Sequence, residues 1–168
     1  MELFDAIDSR SSAARLSEPG PTPLHLERLI QAAGHAPDHG RLKPWRFIPV
    51  NGAAREPFAI AAANAKRLRV PTLTDEQIQL ERQKIMRSPC ILVVGCAVKR
   101  DHAKVPEIEQ VVATGAAAQN LFLAAHALGY GVMWKTGAAA YDPQVKAAVG
   151  LNADDHIVAI LHLGSKVE

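Results

Sequence analysis

Three short polar segments carry the residue types from which a site for a small anion could be built. The first covers residues 9–15 and holds Arg10 and Arg15 together with Ser9, Ser11 and Ser12. Fixed cations beside small hydroxyl donors suit a phosphate group, which accepts several hydrogen bonds and carries negative charge. The same pattern also fits a solvated loop whose serines cap the next turn.

The second segment covers residues 35–45 and contains two histidines. His35 and His39 have the spacing of two metal ligands on one face of a helix. Pro37 between them and Gly40 after them disfavour a regular helix, and a metal site needs three or four converging ligands. A planar histidine beside arginine or lysine in a rigid loop is more typical of a cradle for an aromatic anion.

The third segment covers residues 133–137 and ends in glycine. Lys135 and Thr136 place a cation and a hydroxyl at the end of a predicted strand, next to a glycine where backbone can approach a ligand closely. The alternative interpretation places Trp134 in the core, with Lys135 as its solvent-facing neighbour. In isolation this second interpretation is at least as good.

Each of these segments lies at the end of a predicted helix or strand. Strands are predicted at Trp45–Val50, 90–98, 132–136 and His156–Gly164, and a long alanine-rich helix follows Pro106. Helices and strands do not alternate strictly, so the order favours an α+β fold with helices around a small sheet over a doubly wound sheet. A chain of 168 residues is predicted to form a single domain over residues 1–168.

Charge and composition exclude several classes of protein. The formal charge of +2 is too small to indicate a nucleic-acid partner. Residues 111–134 contain no Asp, Glu, Lys or Arg, but interruption by polar residues such as Gln119 and Asn120 indicates a buried helix and no membrane span. Cys90 and Cys96 would lie roughly 20 Å apart on one strand, too far for a disulfide. A reduced, cytoplasmic protein is expected.

The three segments together, in this order, resemble the nitroreductase family of flavoproteins and in particular its compact YdjA-type branch. The main elements of the resemblance are Ala36-Pro37-Asp38-His39 and Lys43-Pro44-Trp45-Arg46-Phe47. Supporting elements are the Arg-Ser segment near residue 10, Lys104-Val105-Pro106, and residues 131–137 with their tryptophan. The resemblance covers nearly the whole chain.

The resemblance implies a fold, a cofactor and a reaction. It implies a nitroreductase-like α+β fold whose small sheet is mainly antiparallel and whose long central helix lies at a homodimer interface. FMN would bind non-covalently at that interface and would carry hydride from NADH or NADPH to nitro compounds, quinones or similar small acceptors by a ping-pong mechanism. Two alternatives stay open: a flavin-binding protein with little or no turnover, and a histidine-based metal protein.

The resemblance also assigns site residues, with no catalytic side chain because the flavin carries the chemistry. The residues expected to bind FMN are Arg10, Ser11, Ser12, His35, His39, Trp134, Lys135 and Thr136. His39 would reach FMN from the partner subunit, and residues 124–129 align with the stretch assigned to the nicotinamide donor.

Two departures from the family pattern bear on this assignment. Ser11 stands where the branch usually has a second arginine, so phosphate binding is expected to depend more on Arg15 or Lys135. Arg41 stands where the broader family has an asparagine that contacts the flavin ring. A guanidinium there would favour the anionic reduced flavin.

Overall fold

The computed structural model describes residues 1–167 and contains one antiparallel sheet with helices on both faces. Its strands are β1 (Leu16–Ser17), β2 (Trp45–Asn51), β3 (Cys90–Cys96), β4 (Gly131–Lys135) and β5 (His156–Lys166). Their order is β1-β5-β3-β2, with β4 also paired to β5, and every pairing is antiparallel. The predicted α+β architecture with a small antiparallel sheet is confirmed.

Six α-helices accompany the sheet in the described part of the chain. They are α1 (Leu3–Ser9), α2 (Pro23–Ala33), α3 (Arg55–Arg69), α4 (Asp75–Met86), α5 (Glu107–Ala127) and α6 (Pro143–Ala148). Local signals set several of their starts. The Thr22 and Asp142 side chains each accept a backbone N–H in the first turn of the helix that follows, and Thr74 with Gln77 forms a capping box.

The structure shifts the predicted strand ends by one or two residues. β3 ends at Cys96 instead of residue 98, and β4 runs from residue 131 to 135 instead of 132 to 136. β5 extends two residues further than predicted because Ser165 and Lys166 pair with β1, a two-residue strand that was not predicted. The ends of these strands are set by pairing with strands that are distant in sequence, so local composition could not predict them.

The two faces of the sheet bury two separate apolar clusters. On one face, α2 and α5 pack on strand residues that include Leu92, Leu161 and Leu163. On the other face, α3 and α6 pack on a set that includes Ile91 and Ile160. Since side chains alternate along a strand, neighbouring residues of β4 and β5 serve opposite faces.

Helix α5 has one side that the single chain does not cover. Ile108 and Val112, one helical turn apart, are 66% and 63% exposed. Nearby α1, which contacts α5, exposes Leu3 and Phe4 as well. Clustered apolar side chains that stay exposed, such as Ile108 and Val112, are typical of a protein interface. In residues 1–167, no helix is both long and apolar enough to cross a membrane.

Candidate functional site

A groove runs between the sheet and helix α4, on the face away from α5. One half, the basic end, has a volume of about 330 Å³ and is lined by residues 13–16, the end of α4, β4 and β5. The other half, the apolar end, has a volume of about 230 Å³. Lys84, Lys135 and His162 line both halves, so the two cavities adjoin.

The basic end concentrates positive charge. Its lining includes Arg15, Lys84, Arg87 and Lys135, and no Asp or Glu of residues 1–167 lines it. Lys84 is bonded to Glu81 on its own helix at 2.7 Å. Among the described residues no salt bridge engages the other three cations. This end can therefore bind an anionic group such as a phosphate.

The apolar end suits a flat, weakly polar group. The larger part of its wall surface is apolar and includes the small or aliphatic side chains of Ala62, Ile85, Ala138, Ala139 and Ile160. The charged residues Lys66, Arg69 and Glu81 also line it, beside the shared Lys84 and Lys135. Thr136 and Gly137 form part of the rim just after β4. Gly137 has φ +61° and ψ −171°, a conformation essentially restricted to glycine, so the backbone turns here without a side chain covering the groove.

The structure brings the predicted residues Lys135 and Thr136 into this groove but turns Trp134 away from it. Val132 belongs to the apolar cluster under α5, and Trp134 packs against the same cluster. Met133 and Lys135 line the basic end on the opposite face. The core interpretation of Trp134 is therefore supported by its packing, and its neighbour Lys135 is exposed.

Arg10 ends α1 and lies on the α5 side of the sheet. Its guanidinium sits 5.1 Å from the centre of the Phe122 ring of α5, a cation–π contact. Ser9 Oγ lies 2.8 Å from Nε2 of His126, whose Nδ1 lies 3.3 Å from Nζ of Lys166. Arg10 and Lys166 thus form a second positively charged cluster beside His126. Lys166 had not been identified as a candidate from the sequence.

The hydrogen bonds around His126 are consistent with one neutral tautomer. Lys166 Nζ can only donate, so Nδ1 accepts and the ring proton lies on Nε2, which donates to Ser9 Oγ. The Ser9 hydroxyl in turn donates to the carbonyl oxygen of Asp5. Burial lowers the pKa of His126, and the charges of Lys166 and Arg10 lower it further. The ring therefore joins α1 to the end of α5 without adding a charge.

Ser11 and Ser12 are exposed and lie in the chain between Arg10 and the groove. The backbone N–H of Ala13 donates to the carbonyl oxygen of Val132 at 2.9 Å, so this segment is fastened beside β4. Residues 13–16 then line the basic end of the groove. Both exposed serines therefore lie in the segment that leads from Arg10 to the basic end of the groove.

His35 and His39 do not line the groove and lie in the segment that follows α2. His35 is exposed just after α2, and His39 Nδ1 is bonded to Glu109 Oε2 at 2.5 Å. Arg41 and Lys43 have φ values of +52° and +46°, and the Asp38 carboxylate accepts the backbone N–H of Lys43 at 2.6 Å. The loop is therefore held in a specific conformation, as the sequence predicted.

The two groups of predicted residues do not meet within one chain. His39 contacts Glu109 near the start of α5, whereas Arg10 contacts Phe122 thirteen positions further along the same helix. At 1.5 Å per residue the two contact points are roughly 20 Å apart along the helix axis. Within one chain, a ligand that touches both His39 and Arg10 would have to span about this distance.

His162 is the groove residue that sequence reasoning missed. It lies on β5, is 3% exposed, and lines both halves of the groove. Burial lowers its pKa to about 4, with a further contribution from the charge of Lys135. A histidine inside the otherwise aliphatic run 157–163 was the available signal, but nothing local shows which face of the sheet it occupies.

The cysteines and the histidines are not arranged for disulfide or metal chemistry in the described chain. Cys90 and Cys96 are both free and buried, as predicted. Burial raises the pKa of the Cys90 thiol to about 11, so the reactive thiolate is scarce at neutral pH. Within residues 1–167, no group of three or more His, Cys, Asp or Glu side chains could hold a metal ion.

Comparison with known proteins places this geometry in a family. A model of the nitroreductase family matches residues 7–165. The chain is 35% identical over 172 aligned positions to a protein of Escherichia coli strain K12 named "Putative NAD(P)H nitroreductase YdjA", with 98% of this chain and 88% of that protein covered.

Solved structures agree on the fold. The crystal structure of a nitroreductase-like family protein from Bacillus cereus matches with a TM-score of 0.85 and 26% identity, covering 100% of this chain and 87% of that one. A nitroreductase with bound FMN from Bacteroides fragilis matches with a TM-score of 0.75 and 20% identity, covering 99% of this chain and 89% of that one. The chain therefore belongs to the nitroreductase family.

Proposed function

We propose that the chain is an FMN-dependent NAD(P)H oxidoreductase that passes hydride from NADH or NADPH, through the flavin, to a nitro, quinone or similar small-molecule acceptor. The observation that carries this proposal is the groove, which joins a basic end to an apolar end directly beside the end of β4. A basic end joined to an apolar end matches the shape and chemistry of FMN, which combines a phosphate with a large planar ring system. Relatives with NAD(P)H or FMN in their names support the same cofactors.

The basic end and the segment beside it would hold the phosphate. Lys135 lines the basic end and Thr136 follows it at the end of β4. Arg10, Ser11 and Ser12 precede the lining residues 13–16, and Arg10, which contacts Phe122 on the α5 side of the sheet, would have to turn around the sheet edge to reach the phosphate. Arg15 lines the same end. It would supply a cation in place of the second arginine of the family pattern, the role predicted from the sequence for Arg15 or Lys135.

The apolar end would hold the ring, and the flavin would supply the hydride chemistry. The protein then has to bind, orient and partly shield the cofactor, and no side chain needs to act as nucleophile or general acid. The alanine and isoleucine side chains of this end would give the ring flat contact area, beside the charged side chains of Lys66, Arg69 and Glu81.

A homodimer would complete the site. His39 lies roughly 20 Å from Arg10 along α5, so a second copy of the chain has to supply it if both contact one flavin. The exposed apolar side chains of Ile108 and Val112 on α5, and of Leu3 and Phe4 on α1, are available for that association. The pairing of His39 with Glu109 fixes which ring nitrogen it can offer to the partner.

The absorbance spectrum tests this function directly. Protein reconstituted with FMN and freed of excess cofactor is expected to retain an oxidised-flavin spectrum, and anaerobic NADH or NADPH is expected to bleach it. Adding a quinone or nitroaromatic should restore the oxidised spectrum. Retained colour without bleaching would instead support a flavin-binding protein without turnover, and failure to retain FMN would contradict both functions.

Arg10→Ala is expected to weaken FMN binding by roughly 1.5–3 kcal/mol, because one charge-assisted hydrogen bond to the phosphate is lost. Fluorescence titration of the apoprotein with FMN measures this change. Arg67→Ala is a suitable control, since it removes an equal charge from α3 at a residue that pairs with Asp75 and does not line the groove. Equal affinities for the two variants would remove Arg10 from the site.

A further inference from the structure

His162 is a buried polar group whose position the core packing does not explain. Its neighbours on β5 are aliphatic and pack into one or other apolar cluster. Placing an imidazole there costs desolvation free energy, which a leucine or valine at the same position would avoid. Buried polar groups in native proteins normally have hydrogen-bond partners on their polar atoms.

Only one of the two ring nitrogens has such a partner. Nδ1 lies 2.7 Å from the hydroxyl of Ser88. Arg55 Nη1 donates to the backbone carbonyl of the same serine at 2.8 Å, which fastens Ser88 to the start of α3. Within residues 1–167, Nε2 has no hydrogen-bond partner, although the ring lines both halves of the groove. The bond from Nδ1 to Ser88 thus fixes the orientation of the ring, and Nε2 is left available to a ligand in the groove.

The protonation state makes this nitrogen useful for a neutral ligand group. With a pKa of about 4 the ring is uncharged at neutral pH. An uncharged imidazole adds no positive charge for phosphate binding, for which the groove already holds Arg15, Arg87 and Lys135. Its Nε2 can form one hydrogen bond with a hydroxyl group. A hydroxyl both donates and accepts, so it suits either tautomer of the ring.

The position along the groove selects the ligand group. His162 lies where the basic end meets the apolar end, since it lines both. With phosphate in the first and the flavin ring in the second, the connecting ribityl chain and its hydroxyls would cross this junction. We propose that His162 is a cofactor-binding residue whose Nε2 hydrogen-bonds a ribityl hydroxyl of FMN. This proposal rests on the proposed function.

Two substitutions separate the two ring nitrogens. The amide of His162→Asn reaches about as far as Nδ1 and keeps the bond to Ser88, whereas the longer His162→Gln places an amide near Nε2. His162→Asn is expected to raise the FMN dissociation constant about five-fold, the effect of one neutral hydrogen bond, and His162→Gln to leave it within about two-fold of the original. Thermal unfolding of each apoprotein shows whether the variant is folded.

Lumiflavin, which has the same ring but no ribityl chain, provides the decisive second probe. The original protein and His162→Asn are expected to bind lumiflavin equally, while riboflavin and FMN discriminate between them. Independently, adding FMN to protein labelled with ¹⁵N-histidine should shift the Nε2 resonance of His162.

Each contrary result overturns the proposal in a distinguishable way. If the original protein binds FMN and His162→Asn binds it equally well, or loses lumiflavin affinity to the same extent, the ribityl contact is wrong and the proposed function stands. An Nε2 resonance that does not shift when FMN binds would likewise show that the ribityl contact is wrong while the proposed function stands. If the original protein does not bind FMN at all, the proposed function and this contact fail together.

Discussion

Val112→Asp is expected to convert the proposed dimer into a monomer and to abolish tight FMN binding. The side chain is 63% exposed in the single chain, so the substitution leaves the monomer core intact. At an interface it would bury an unpaired carboxylate, which costs about 3–5 kcal/mol, and two-fold symmetry imposes that cost twice. FMN affinity should fall because the partner's His39 no longer reaches the site.

Light scattering after gel filtration measures the association, and flavin absorbance of the same fractions measures the bound cofactor. Leu68→Asp is the matched control, because Leu68 is 65% exposed on α3 and lies away from the α1 and α5 surface. It should remain dimeric and yellow. A Val112→Asp protein that stays dimeric with full flavin content would show that this side of α5 is not the interface.

Lowering the pH from 7 to 4 is expected to cost the folded protein roughly 3 kcal/mol through His162 alone. The pKa of this histidine is about 4 in the folded state against an ordinary value of 6.5. Between these two values the unfolded chain binds a proton that the folded chain does not, so the free energy of unfolding falls as pH falls through this window. Burial is the main cause, since it disfavours the charged ring.

Urea unfolding of the apoprotein at pH 7 and at pH 4, at one protein concentration, measures the loss. His162→Gln supplies the comparison, because glutamine does not titrate while every other acidic and basic group is unchanged. The original protein should lose more stability than the variant over this interval. Equal losses would mean that His162 is not held neutral in the folded protein.

Interactions between residues close together in the sequence determined much of the secondary structure. Thr22, Thr74 and Asp142 start their helices through hydrogen bonds that span two or three residues, so the sequence alone was sufficient. The aliphatic run from Cys90 forms a strand covered on both faces, as predicted. The loop between residues 35 and 45 is likewise restrained by its own residues, as the bond between Asp38 and Lys43 shows.

The arrangement of the candidate site was decided by tertiary structure. Trp134 and Lys135 are adjacent in sequence but serve opposite faces of the sheet, and only the pairing of β4 with β5 fixes which face each occupies. His162 meets Ser88 across 74 positions, and His39 meets Glu109 across 70. Residue type and spacing indicated segments that could bind a small anion, and the resemblance to the nitroreductase family predicted which of their side chains would bind FMN. Alternation along a strand divides its side chains between two faces, but it does not say which face each set occupies. The groove between α4 and the sheet therefore depends on long-range packing, which decides which helix covers each face.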